Sequence, residues 1–316
     1  MYKNKTICVV VPAHNEEKLI GRVIETMPGF VDKIVIVDDK SSDRTVEKVN
    51  SYLNKLREKL VLIQHKDNQG VGGAIVTGYK WALDSEMDIT AVMAGDAQMD
   101  PDDLPTLIDA VIEDKIDYAK GNRLFTGQAW QKIPRVRYLG NSCLSLLTKI
   151  ASGYWHVADS QTGYTAITIE VLKYIDLDAI YKRYGMPNDL LVHINIGHYR
   201  VKDIPINPVY NIGEKSGIRL WKVIPTMSRL LLKRFFWRLL QKYVIRDFHP
   251  LIFFYLLGLI LFPVGLSFGA YLIYYRIVCG PVAATSALFA SFLFISGLQS
   301  LFFAMWFDME YNKDLK

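Results

Sequence analysis

Apolar and polar positions change character twice along this chain. From Lys5 to about Val209, short apolar runs alternate with stretches of helical periodicity. The runs Ile7–Val11, Lys33–Val37, Val61–Gln64 and Ile89–Met93 are rich in Val and Ile. Strands covered on both faces of a parallel sheet have that composition. Glu16–Met27 and Arg44–Leu56, between the first three runs, have helical spacing. The alternation predicts an α/β fold with a Rossmann-like, mostly parallel, doubly wound sheet, whose ligands gather at the carboxyl ends of the strands.

Beyond Asp247 the periodicity gives way to continuous apolarity. Pro250–Tyr275 and Pro281–Phe307 contain no charged residue, and each exceeds the roughly 20 residues a helix needs to cross a bilayer. The link Arg276–Gly280 is so short that the pair is expected to form an antiparallel transmembrane hairpin. Ahead of it, Arg219, Lys222, Arg229, Lys233, Arg234, Arg238, Lys242 and Arg246 face a single nearby acid, Asp247. Trp221, Phe235, Phe236 and Trp237 interleave them, as in amphipathic helices on an anionic membrane surface. Basic flanks stay on the cytoplasmic side. The expectation is a multi-pass protein of the cytoplasmic (inner) or archaeal cell membrane, with both termini cytoplasmic. Its parts would be a globular domain over 1–215, juxtamembrane helices over 216–247, the hairpin over 248–307 and a tail over 308–316. The hairpin also offers a surface for a homo-oligomer.

Composition adds little to this. With 51% hydrophobic and 22% charged residues among 316, the chain is neither disordered nor low in complexity. The net charge of +5 collects just before the apolar tail, so a membrane surface accounts for it and no nucleic-acid partner is expected. Cys8, Cys143 and Cys279 are too few and too scattered for a disulfide framework or a CxxC knuckle, and read as buried or lipid-facing thiols. Ile7–Val11 is too short to be the apolar core of a signal peptide.

The chemistry sits in four loops, one after each predicted strand. They read Pro12-Ala13-His14-Asn15-Glu16-Glu17, Asp38-Asp39-Lys40-Ser41-Ser42-Asp43, Asp67-Asn68-Gln69-Gly70-Val71-Gly72-Gly73 and Gly95-Asp96-Ala97-Gln98-Met99-Asp100-Pro101. Ser42 or Asp43 is suited to capping the helix that starts at Arg44. Capping does not account for Asp38 and Asp39 together, nor for four such loops on one edge. The glycine loop lacks the last glycine of the dinucleotide fingerprint, where Ile75 stands, and has no Gly-Lys-Ser/Thr. A dehydrogenase or a P-loop NTPase is therefore not expected, and the loop reads as a tight turn passing close to a nucleotide. Asp96 and Gln98 supply hard oxygens at a strand tip. So sparse a set suits Mg²⁺ or Mn²⁺, which keep waters and share a diphosphate. The histidines form no zinc pattern.

In this order, PAHNEE, VDDKSSDRT, DNQGVGGA, GDAQMDPDDL, GNR and DSQTGYTA resemble the family 2 glycosyltransferases of the GT-A fold. With the terminal hairpin, the chain resembles their polyprenyl-phosphate group, which includes dolichyl-phosphate mannose synthase and bacterial undecaprenyl-phosphate glucosyltransferases. The resemblance covers about residues 5–215 and the membrane architecture. It implies that Pro12, Ala13, Asn15, Glu16, Asp38 and Asp39 hold the nucleotide's base and ribose, and that Asn68, Gly70 and Gly73 close over it. Asp96 and Gln98 would bind metal and diphosphate, although the first acid of the family's DxDxQ motif is Ala94 here. Arg123, Arg135 and Arg137 resemble the acceptor-phosphate contacts. Asp159 corresponds to an acid near the reacting centre, so Asp96, Asp159, Arg123 and Arg137 form the catalytic set. Asp189 stands where relatives carry an acidic motif. Lys215 and Arg219, just before the interface helices, either reach the donor diphosphate or snorkel from a linker.

The implied reaction moves one sugar, with inversion, from a nucleoside diphosphate sugar to a polyprenyl (undecaprenyl or dolichyl) phosphate. UDP-hexose is the first donor considered and GDP-mannose the second. A phosphate monoester with a second pKa near 6 is already mostly dianionic at neutral pH. It needs arginines to place it more than it needs a base. Asp159 is accordingly expected to orient rather than to accept a proton. Two rivals stand beside this reading. A processive polysaccharide synthase would carry a QxxRW motif and more spans, both absent here. A non-enzymatic membrane scaffold with a degenerate nucleotide fold draws its support from Ala94.

Overall fold

A computed structural model describes residues 1–124, 135–207 and 220–316, except for the side chains of 135–139, 141 and 220–223. The chain packs into two compact units. One comprises Met1–Phe235 with Leu315–Lys316, the other Phe236–Asp314.

The larger unit is built on a sheet of order β3-β2-β1-β4-β6-β5-β7. Its strands are β1 (Ile7–Ala13), β2 (Lys33–Asp38), β3 (Leu60–Gln64), β4 (Ile89–Val92), β5 (Tyr118–Asn122), β6 (Thr165–Thr168) and β7 (Val201–Pro205). Strands β3, β2, β1 and β4 pair in parallel. Strand β6 is antiparallel to both its neighbours, and β7 is parallel to β5. Alternate residues of β1 enter opposite layers. Ile7, Val9 and Val11 pack with α1 (Ile20–Glu25), α2 (Thr45–Leu53) and α4 (Leu104–Ile112). Cys8 and Val10 pack with α3 (Val71–Asp84), α6 (Ile169–Tyr174) and α7 (Met186–Ile196). Both faces are covered, which is why the strands read as unbroken apolar runs. Helix α5 spans Arg135–Ser152. Helix α3 lies so close to β1 that a Cβ at Gly78 would stand 2.2 Å from a Val10 methyl.

The four anticipated strands are present within two residues at either end. The first helix starts later than its periodicity predicts, at Ile20 rather than Glu16. Asn15 turns the chain at φ 60°. The Glu16 and Glu17 amides then bond Thr45 Oγ1 and Asp43 Oδ2, at 2.8 and 3.1 Å, across to the β2–α2 loop. Pro28 disfavours helical backbone at Met27 and closes the other end. Asp43 also accepts from the Thr45 amide at 3.0 Å, at the first residue of α2, while the N-cap position falls on Arg44, which makes no side-chain cap bond. Cys8 is buried as expected, whereas Cys143 is exposed on α5.

The smaller unit takes in the end of α8 (Leu220–Leu240), a π-helical turn over Gln241–Arg246, α9 (Leu251–Val278) and α10 (Ala284–Tyr311). Helices α9 and α10 are long and apolar enough to cross a membrane, with peak mean hydropathies of 2.4 and 1.8, and 22% of each such window is buried. They pack backbone to backbone. A Cβ at Gly265 would lie 2.4 Å from Phe294 N, and one at Gly297 2.3 Å from Phe262 N. Small residues permit such approach between membrane helices.

The basic run before the hairpin is not uniformly lipid-facing, which corrects the reading of its amphipathic pattern. Arg238 and Lys242 are fully buried. Arg238 makes a two-pronged bond to Asp308, at 2.8 and 3.0 Å, and Lys242 donates to Asn312 Oδ1 at 2.6 Å. A buried cation needs such partners, and here they come from the far end of α10, beyond the reach of local charge counting. Arg229, Lys233 and Arg246 are the exposed members among those described.

Candidate active site

Strand directions gather the chemistry. Strands β1 to β5 and β7 point one way and β6 the other. The carboxyl ends of β1, β2, β3, β4 and β5 therefore share an edge with the segment that leads into β6. This edge carries Asn15 and Glu16, Asp38 and Asp39, Asn68, Asp96 and Gln98, Arg123, and Asp159.

The two aspartates after β2 do different work. Asp39 is a framework residue. Its Oδ1 accepts from the Gln69 amide at 2.8 Å and lies 2.8 Å from His65 Nδ1, while Oδ2 accepts from the Gly70 amide at 2.7 Å. His65 Nε2 is 2.9 Å from Thr77 Oγ1. Asn68 joins the same cluster by donating to the Asp39 carbonyl at 3.1 Å. Asp38 is also buried and accepts from Ser41 N through Oδ2 at 3.1 Å. Its buried Oδ1 has no hydrogen-bond partner among the described residues, which leaves an acceptor for a ligand donor. Across the loop, Asn15 receives the Ser42 amide at 2.8 Å. His65 was not foreseen, because a single histidine after a strand carries no spacing signal.

The glycine loop is tight for a different reason than its composition suggests. Gly70 has φ 87°, and a Cβ there would stand 2.8 Å from the Lys182 carbonyl. The Gly73 amide donates to that same carbonyl at 2.9 Å. The missing side chains admit the protein's own 181–183 backbone.

At the tip of β4, Asp96 Oδ1 accepts from the Gln98 amide at 3.1 Å, and Ala97 takes φ 55°. Pro12 and Ala13 flank this turn, with Gly95 N donating to the Pro12 carbonyl at 3.2 Å. Burial, then the charges of Asp96 and Asp43, push Glu16 up to about 7. No cluster of three or more Asp, Glu, His or Cys ligands occurs among the described residues. Asp96 and Gln98 bring oxygens of the kind a hard divalent ion takes. The raised Glu16 has a measurable consequence. Folded protein holds a proton on Glu16 that unfolded chain releases above its ordinary 4.5, so stability is lost as pH rises from 4.5 through about 7. Thermal melts in chelator at pH 5 and pH 7.5 should show a smaller drop for Glu16→Gln than for wild type. Equal drops would refute it.

Arg123 leaves the end of β5 and meets Asp159 from the loop before β6. Its Nε donates to Oδ2 at 2.8 Å and its Nη2 to Oδ1 at 3.1 Å, and the Gln161 amide adds a bond to Oδ1 at 3.2 Å. Burial works against the charge on Asp159. The Arg123 hydrogen bonds and charge, with that of Lys120, outweigh it and hold the carboxyl below its usual range. A carboxylate so engaged is a poor proton acceptor and a good brace for a guanidinium. Beneath the pair lie Lys120, Asn122 and Asp203, none of them foreseen. Asp189 faces inward instead of onto the edge. It accepts from Tyr181 N at 2.7 Å and from Arg234 Nη2 of α8 at 3.1 Å, with Arg234 Nε 2.5 Å from its Oδ1. Lys215 and Arg219, and the side chains of Arg135 and Arg137 at the start of α5, lie outside the described residues.

Residues 8–175 match the profile of glycosyl transferase family 2. The chain belongs to that family. A UDP-N-acetylglucosamine–dolichyl-phosphate N-acetylglucosaminyltransferase of Methanococcus voltae is 32% identical over 66% of this chain and 87% of its own length. An undecaprenyl-phosphate mannosyltransferase of Micrococcus luteus is 29% identical over 63% of this chain and 82% of its own. Among solved structures, glucosyl-3-phosphoglycerate synthase of Mycobacterium tuberculosis, held with Mn²⁺, UDP and glucosyl-3-phosphoglycerate, superposes with a TM-score of 0.55. That match covers 74% of this chain and 80% of that one, and at 19% identity it is a likeness of fold. The family 2 membership and the GT-A-like sheet bear out the expected fold class and make the chain a glycosyltransferase.

Proposed function

We propose that this family 2 enzyme transfers one sugar from a nucleoside diphosphate sugar to the phosphate of a polyprenyl lipid at a membrane surface. The observation that carries the reading is the Arg123–Asp159 pair. A hydroxyl acceptor calls for a general base, yet the acid best placed to serve is neutralised by a two-pronged arginine. A phosphate acceptor needs that arginine and no base. The named activities of the Methanococcus and Micrococcus relatives support a polyprenyl-phosphate acceptor, and helices α9 and α10 would keep the enzyme where such a lipid resides. Topology follows from the same reading: the hairpin spans the membrane, and the catalytic unit and both termini are cytoplasmic.

In this mechanism Asp38 accepts a hydrogen bond from the nucleoside, through the oxygen the protein leaves unbonded. Asp96 and Gln98 would hold a Mg²⁺ or Mn²⁺ ion, which when bound would offset the charge that grows on the departing diphosphate. Arg123, braced by Asp159, aims the lipid phosphate at the anomeric carbon, and direct displacement inverts that carbon. In this scheme Arg135 and Arg137 are assigned to the acceptor phosphate and Lys215 and Arg219 to the donor diphosphate. The donor we favour is UDP-activated, as in the name of the Methanococcus relative, with GDP-mannose as the alternative, whose sugar is the one in the Micrococcus relative's name.

The test is a panel of nucleotide sugars offered with a short-chain polyprenyl phosphate, with and without Mn²⁺. Labelled lipid bearing one sugar, from one donor of the panel, is the expected product. A polymer would point to a synthase, and no labelled lipid from any donor would sink the proposal.

A further inference from the structure

Asp159 is carried on a loop, and what fixes that loop is two oppositely charged side chains under the sheet edge, Lys120 fully buried and Asp203 half-buried. Lys120 of β5 and Asp203 of β7 are direct partners in the parallel register, so their side chains leave the same face side by side. Lys120 is fully buried and its ammonium donates to the Thr162 carbonyl. Asp203 Oδ2 accepts from the Ala158 amide at 2.7 Å and from Asn122 Nδ2 at 2.6 Å. The two side chains thus grip the Ala158–Thr162 loop at opposite ends, with Asp159 between. Asn122, two residues along β5, fastens the next turn by accepting from the Leu124 amide at 2.8 Å.

We infer that Lys120 and Asp203 are positioning residues for sugar transfer, which set where Asp159, and through it the Arg123 guanidinium, stands. A buried ammonium is costly unless paired, and an apolar side chain would fill the same space without that cost. What the ammonium adds is charge beside a loop whose own carboxylate must stay ionised to hold arginine. Burial pushes Lys120 down to about 8, while Asp159 and Asp203 pull it up and Arg123 pushes it further down. Its ammonium is held by the Thr162 carbonyl and faces the charges of Asp159 and Asp203. The Asp203 carboxyl is raised by burial, against the Ala158 bond and the Lys120 charge. These groups form one balanced set of two cations and two acids, and removing one member disturbs the other three.

The inference rests on the proposed acceptor role of Arg123, and the test separates the two. Full-length Lys120→Met and Asp203→Asn are compared with wild type by amide exchange over 158–163, by UDP titration calorimetry, and by kinetics against a short-chain polyprenyl phosphate. Lys120→Met should speed exchange in that loop and lower kcat/KM for the lipid about 10- to 100-fold, the usual effect of removing a support behind a functional group. UDP affinity should stay within about twofold. Asp203→Asn keeps the volume and the Asn122 neighbour, so it covers the case in which the lysine variant does not fold, and it should show the same pattern more weakly. The double variant should lose less than the product of the two singles, because both act on one loop. Unchanged exchange with unchanged kinetics overturns the inference, as does a parallel loss of UDP affinity. Faster loop exchange in a protein whose wild type transfers no sugar to lipid would uphold the clamp and refute the functional reading instead.

Discussion

Asp96→Asn should lower turnover by about 10²- to 10³-fold, the cost of losing one preorganised electrostatic contact to charge that develops during reaction. Asparagine keeps the volume and the oxygen that accepts from the Gln98 amide, so the turn at the tip of β4 should persist. What it loses is the charge. With Ala94 in the place of the motif's other acid, Asp96 is the acid of that motif that remains. The variant should therefore need far more Mn²⁺ for half-maximal rate and still bind a nucleoside without diphosphate normally. Near-normal turnover in the presence of EDTA would remove the metal from this site.

The second large effect concerns Arg123 and Asp159. Under the proposed role, Arg123→Ala should delete a charge-assisted contact to the lipid phosphate worth about 1.5–3 kcal/mol, roughly 10- to 150-fold in kcat/KM for that substrate. Lysine at 123 should recover only part, since it restores charge without the fork. Asp159→Asn should depress the same parameter, and adding it to Arg123→Ala should cost little more, because each residue acts through the other. A catalytic base behaves differently. If Asp159 accepted a proton, Asp159→Asn would cut kcat at saturating lipid, and its effect would multiply with that of Arg123→Ala. Kinetics of the two single variants and the double one decide between these outcomes.

The first half of the sheet was legible because burial on both faces leaves a continuous apolar signature, as in Ile7–Val11 and Lys33–Val37. The other three strands were not. Tyr118–Asn122 contains Lys, Gly and Asn, yet every residue of it is buried. Its polar residues are there to hold the Asp159 loop, so the site itself erased the pattern by which a strand is recognised. Asp38 and Asp39 were both legible as site residues and not separable by role, because the difference lies in which backbone amides reach them. His65 and Asp203 could not be found from spacing, since each meets its partner only after folding. The basic run misled for a related reason. Arg238 pairs with Asp308, 70 positions away along the chain.

One detail of the catalytic unit bears on how the enzyme can be handled. Its last strand begins with Val201, whose amide donates at 3.0 Å to the carbonyl of Leu315, and the Leu315 side chain is part of the core beside α3 and α7. Arg200 reaches the Lys316 carbonyl at 3.3 Å. The catalytic unit thus includes residues that the ribosome makes only after the hairpin. Cutting the gene ahead of α9 to obtain a water-soluble enzyme would strip a side chain from the core and an acceptor from the edge of the sheet. A soluble version should instead bridge the excised hairpin with a flexible linker that returns Leu315 and Lys316 to these contacts.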